Sequence, residues 1–124
     1  MIFIDRSVPR GVACALKAVR DDVAWLEDLY PHDAKDLQWL PDAGREGWLV
    51  ISRDKKIRSR PGERRAILEN HVGCFIIGAK RNLTKWEYLK LLAAMLDEMQ
   101  RLFHETERPF IYMVHSTQGL RRVA

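Results

Sequence analysis

Only two of the 124 residues are cysteine, Cys14 and Cys74, and they form neither a C-x-x-C pair nor any metal-ligand spacing. A disulfide framework is therefore excluded, and both thiols, set in apolar stretches, are expected to be buried and reduced. No apolar run approaches the roughly 20 residues of a membrane span. G-x-S-x-G, P-loop and G-x-G-x-x-G motifs are missing, which removes the common serine hydrolase, nucleotide triphosphatase and dinucleotide-binding classes. The four histidines, His32, His71, His104 and His115, are scattered without a zinc pattern and read as surface or loop residues. There is no internal repeat, low-complexity segment or linker. The first expected strand begins at Met1, leaving no room for a signal peptide, so a cytoplasmic location is expected.

What is present suits one globular domain. The chain is 47% hydrophobic and 31% charged, with a net charge of +4 and a sequence pI near 9.3. The length is enough to bury a core, and the mild basic excess favours a polyanionic partner without demanding one. Short apolar runs at residues 1–4, 23–26, 48–51, 74–77 and 110–114 read as strands buried on both faces. Between them lie helical patterns. Val8, Val12, Ala15, Leu16 and Val19 form one stripe. Asp33 and Asp36 resemble a capping pair opening a second helix, with Leu37, Leu40 and Ala43 inward and Pro41 expected to kink or delay it. Pro61 suits the start of a third. Thr84 and Glu87 form a capping box for the longest helix, whose predicted stripe is Trp86, Leu89, Leu92, Ala93, Leu96, Met99 and Phe103. The four tryptophans are read as packing residues, and residues 115–124 as a loose basic tail. Strand and helix alternate throughout. That predicts an α/β fold, a three-layer α/β/α sandwich around a mainly parallel five-stranded sheet, with residues 1–114 as its single domain.

The chemistry clusters at strand ends. Runs 1–4 and 48–51 both lead into an aspartate, Asp5 and Asp54, and helices that follow strands begin on the same rim, which adds Asp36. In parallel sheets ligands sit beyond the carboxyl ends of the strands. Clustered carboxylates suit a hard cation, Mg²⁺ or Mn²⁺, able to activate a water and stabilise charge on a phosphodiester. Asp36 reads equally well as a first-turn acid favoured by the helix dipole. The basic run from Lys55 to Arg65 reads either as a solvated face or as a phosphate-binding stretch. For Asp5 and Asp54 to meet, strands one and three must be neighbours, which predicts sheet order 2-1-3-4-5.

These residues resemble a known family. I-F-I-D-R-S, with Asp5 and Ser7, is similar to the opening of PIN-domain ribonucleases, whose first strand ends in a metal-binding Asp followed two residues on by Ser or Asn. D-L-Q-W-L-P-D-A-G-R-E-G-W-L-V-I-S-R-D, residues 36–54, is similar to the family's later pattern: an Asp opening a helix, a glycine, an apolar strand, then Thr or Ser two before a final Asp. Ser52 and Asp54 fill those last places. The resemblance is to short PIN-like proteins of the VapC toxin type and covers roughly residues 1–60. It implies a metal-dependent endoribonuclease, the toxin component of a toxin–antitoxin pair, with Asp5, Asp36 and Asp54 as catalytic metal ligands for Mg²⁺ or Mn²⁺. Ser7 and Ser52 would orient carboxylates or the water, and Arg6, Lys55 and Lys56 would hold the RNA backbone. Full PIN domains carry a further Glu in a helix between the first and third acids; that segment is short here, and Glu27 is its stand-in, with Asp28 next. The implied partners are an RNA substrate and a cognate antitoxin, with a homodimer open and no membrane.

Two other classes compete. A signalling receiver domain also has an Asp after strand three, but it wants paired acids after strand one and a Lys after strand five; here Asp5 stands alone and His115 follows strand five. A catalytically silent PIN-like interaction module is supported by the missing helical Glu.

Overall fold

The computed structural model describes residues 1–53, 60–79, 81–115, 117 and 119–124. Among these, six strands form one sheet in the order β2-β1-β3-β4-β5-β6. The strands are β1 (Ile2–Ile4), β2 (Val23–Trp25), β3 (Leu49–Ser52), β4 (Gly73–Gly78), β5 (Phe110–His115) and β6 (Leu120–Arg122). β1 to β5 run parallel, in the predicted order, and β6 pairs antiparallel with β5. The chain end expected to be a loose tail thus closes the sheet: ladder hydrogen bonds, which leave no mark in hydrophobic patterning, hold it to β5.

The helices are α1 (Arg10–Val19), α2 (Leu26–Leu29), α3 (Asp36–Glu46), α4 (Pro61–Glu69) and α5 (Lys85–Glu105). They cover both faces, which is why the strands read as unbroken apolar runs. Ile2, Ile4, Leu49, Ile51, Phe75 and Ile77 pack on the side of α1 and α5. The alternate residues Phe3, Val50, Cys74 and Ile76 pack on the side of α3 and α4. The result is the predicted three-layer α/β/α sandwich. Among the described residues, no helix is long and apolar enough to cross a membrane.

Several local expectations change. Val19 is 78% exposed although it continues the α1 stripe. Val19 is the last residue of α1, beyond the buried Leu16, where the chain leaves the helix through the extended Arg20. Cys14, on the outer side of α1, is exposed; Cys74 is buried, and both are free. α3 begins at Asp36 with Lys35 as its N-cap, so Asp33 does not cap it. The helix runs on through Pro41, whose missing N–H would have served the carbonyl of Leu37; Leu37 is 64% exposed, so the lost bond falls on the solvent side of the helix. Trp39, Leu40 and Ala43 face inward. Gly47 closes α3 in the left-handed conformation, φ 70°.

The Thr84–Glu87 capping box of α5 is formed. Its buried stripe, however, is Tyr88, Leu91, Leu92, Met95, Leu96 and Met99, while Trp86 and Ala93 lie outside it. Over a long helix, neighbouring three-and-four spacings overlap, and the tertiary contacts of Tyr88 choose between them. Trp25 and Trp39 are buried, Trp48 is half-buried and Trp86 is exposed, so the packing role expected of all four holds for three.

Candidate active site

After β1 the chain goes one way to β2 and the other way to β3, so a switch point lies at the carboxyl ends of β1 and β3. Register places Ile4 beside Ile51, and the Asp5 amide donates to the Ile51 carbonyl at 3.0 Å. Asp5 and Ser52 therefore leave neighbouring strands side by side. Both are buried, at 4% and 0% exposure, polar residues in an otherwise apolar layer.

Ser7 holds them together. Its amide donates to Asp5 Oδ1 at 2.8 Å, and its hydroxyl donates to the same oxygen. The Ser7 Oγ also accepts the Arg53 amide at 2.7 Å and lies 3.2 Å from Ser52 Oγ. With its single hydroxyl proton directed at Asp5, Ser7 must act as acceptor toward Ser52 as well. The turn after β1 is thus a compact network that fixes the Asp5 carboxylate.

Asp5 opens onto a cavity of about 570 Å³ whose wall includes Arg6, Ser7, Lys35, Asp36, Arg60 and Glu63. Asp36, the first residue of α3, is half-buried there. The Asp5 and Asp36 carboxylates are both felt by Cys74 on the sheet beneath: burial chiefly, and these two charges in addition, push its thiol well above the usual range. The structure therefore brings Asp5, Asp36, Ser7, Ser52 and Arg6 to one edge. Arg6 lines the cavity and donates to the His32 carbonyl at 2.5 Å. Asp54, Lys55 and Lys56 lie outside the described residues.

Glu27 goes elsewhere. It sits on α2, not at a strand end, and its Oε2 accepts the Trp25 indole N–H at 2.8 Å. Asp28 accepts the Trp25 amide at 2.9 Å and pairs with Lys17 at 2.6 Å, and that ammonium holds its carboxyl below the usual range. Neither residue lines the cavity.

Sequence reasoning missed Lys35 and Glu63, and placed Arg60 only within the basic run that could bind phosphates. Glu63 lies in the first turn of α4 and meets Arg60 at 3.3 Å, while its other carboxylate oxygen is buried without a hydrogen-bond partner. The signal was available: the argument that puts Asp36 on the rim, as the opening of a helix after a strand, applies equally to α4.

A PIN-like domain model matches residues 1–79, a span that contains β1 to β4, Asp5, Asp36 and the Ser7–Ser52 contact. The chain belongs to the PIN-like domain family. No curated protein and no solved structure matches it. PIN-like domains are commonly nucleases, and in this PIN-like domain the donors on the rim are carboxylate and hydroxyl oxygens, the set a hard cation prefers. Among the described residues, no three Asp, Glu, His or Cys side chains form a complete metal site. Two carboxylates on one cavity still fit Mg²⁺, which keeps several waters and takes few protein ligands.

Proposed function

We propose that this PIN-like protein is a Mg²⁺- or Mn²⁺-dependent endoribonuclease, the cytoplasmic toxin component of a toxin–antitoxin pair. One observation carries the reading: a carboxylate immobilised at the end of β1, Asp5, shares its cavity with Asp36 at the switch point of the sheet. Asp5 and Asp36 would hold the metal, joined by Asp54. The bound ion would supply an activated water and stabilise charge on the phosphodiester. The chain's own residues do the rest. Ser7, with Ser52 behind it, keeps the Asp5 carboxylate in one orientation. Arg6, Lys35 and Arg60 present cations along the cavity wall, suited to the phosphates on either side of the scissile bond. Lys55 and Lys56 would extend that basic track.

The test is cleavage of end-labelled RNA by the purified chain in Mn²⁺, in Mg²⁺ and in EDTA. Cleavage should require metal, and Asp5→Asn and Asp36→Asn should each lower it by orders of magnitude. Asp28→Asn, at a residue that pairs with Lys17 and the Trp25 amide and does not line the cavity, should cut like the parent. Cleavage that survives EDTA or Asp5→Asn would defeat the proposal.

A second reading, a catalytically silent interaction module, draws on Glu27, whose carboxylate faces the Trp25 indole instead of the cavity. RNA left intact by the parent at every metal concentration would favour it.

A further inference from the structure

Arg53 follows β3 directly, and its two ends do different things. Its amide donates to Ser7 Oγ at 2.7 Å. Its guanidinium turns away from the cavity and, among the described residues, makes four hydrogen bonds: to the Tyr88 hydroxyl at 3.0 Å and to the carbonyls of Ile77, Ala79 and Arg81 at 3.2–3.3 Å. Those carbonyls belong to the end of β4 and the segment leading to α5, while Tyr88 lies in the buried stripe of α5. A side chain with such partners has little freedom, so it ties the residue that follows β3 to β4 and α5.

The consequence reaches Asp5. A serine hydroxyl rotates unless its acceptor sites are filled. The Arg53 amide fills one site on Ser7 and the Ser52 hydroxyl the other, which leaves the Ser7 proton for Asp5 Oδ1. We infer that Arg53 is a positioning residue for the catalytic carboxylate: its guanidinium clamp fixes the end of β3 and, through Ser7, the orientation of Asp5. This rests on the nuclease reading for its functional consequence but not for its geometry. Sequence patterning gave no hint of it, since an arginine between Ser52 and Asp54 carries no period or motif of its own.

The experiment uses Arg53→Met, Arg53→Lys and Ser7→Ala in the full chain, with two readouts. The first is amide hydrogen exchange without metal. In Arg53→Met the Ser7 amide, held by Asp5 Oδ1, should exchange about tenfold faster or more relative to core amides of β4, the pattern of local rather than global opening. Equal acceleration of Ser7 and the core would mean a merely structural staple and would overturn the inference. The second is Mn²⁺ affinity. Ser7→Ala and Arg53→Met should each weaken it by about 10- to 100-fold, as changes behind a metal ligand do. The double variant should be no weaker than either single one, because both act on the same Asp5 orientation; additive losses would overturn the inference. Arg53→Lys, which keeps the charge but not the fork, should recover only part of the affinity. If Arg53→Met does not fold, Tyr88→Phe removes one bond of the clamp and should shift the same readouts in the same direction; a parent-like Ser7 amide there would count against the clamp. A parent that binds no Mn²⁺ would sink the nuclease reading, and the Ser7 exchange would then decide the role of Arg53 by itself.

Discussion

Ser7 directs both of its polar hydrogens to one oxygen of Asp5, the amide at 2.8 Å and the hydroxyl beside it. Ser7→Ala keeps the amide bond and deletes the hydroxyl, and it also leaves the Arg53 amide without its acceptor. Stability should fall by about 1–3 kcal/mol, the range for losing a hydrogen bond to a charged group or orphaning a donor. RNA cleavage should fall further than that loss explains, because Asp5 can then rotate. Urea unfolding and single-turnover cleavage of the same preparation separate the two effects.

Metal should stabilise the fold by mass action. At about one hundred times its dissociation constant, a bound ion adds about 2.7 kcal/mol to unfolding. Mg²⁺ and Mn²⁺ should therefore raise the melting temperature, and Asp5→Asn should abolish the rise. In metal-free buffer Asp5→Asn should melt below the parent, since a neutral amide weakens the two hydrogen bonds that Ser7 donates to the carboxylate. A melting curve insensitive to either ion would show that Asp5 and Asp36 do not share one.

Acid should weaken a contact on the far side of the sheet from α3. Asp22 accepts two bonds from Arg20, both at 2.9 Å, and one from Gln100 of α5 at 3.1 Å. The Arg20 guanidinium is the main cause that draws its carboxyl down to about 2. A carboxyl depressed on folding contributes stability above its unfolded value, and that contribution disappears as pH falls toward the folded one. The window is thus from about pH 4 down to about 2. The Asp22 side chain is 41% exposed, so solvent screening holds the effect to about 1 kcal/mol or less. Urea unfolding should find Asp22→Asn less stable than the parent at pH 6 and nearly equal to it at pH 2, with added salt shrinking the difference.

Gly44 of α3 lies against the backbone of Asn70, which caps the end of α4. A Cβ at that position would stand 1.7 Å from the Asn70 carbonyl oxygen, a backbone atom that cannot swing aside. Gly44→Ala should cost about 3 kcal/mol or more, at the upper end of overpacking penalties. Because α3 carries Asp36 and α4 carries Glu63, the same change should weaken Mn²⁺ binding in whatever fraction remains folded, measured by titration at low temperature.

Much of this architecture was legible in the residues. The runs at β1, β3 and β4 could only be strands covered on both faces, and right-handed crossovers between parallel strands left few orders for the sheet. The pair of runs leading into Asp5 and Asp54 then required β1 and β3 to be neighbours, as they are. The capping box at Thr84 fixed the start of α5 because both of its partners lie within one turn.

What depended on distant partners was not legible. Trp86 and Tyr88 both fit a helical stripe; Tyr88 is inside because Arg53 and the sheet meet it there. Leu120–Arg122 has no apolar period, and only its ladder with β5 makes it a strand. Glu27 read as the stand-in for the family's further Glu, but the chain turns straight into α2 and sets it against Trp25. Lys35, Arg60 and Glu63 joined the cavity because α3 and α4 both open at the edge where β1 and β3 end. By itself the sequence determined β1 to β5, the helices α1, α3, α4 and α5 between them, and Asp5 and Asp36 at the sheet's edge, because helix and strand periods and helix caps are local. Only the tertiary structure decided which side chains converge there, because convergence depends on helix rotation and on backbone hydrogen bonds between residues far apart in the chain.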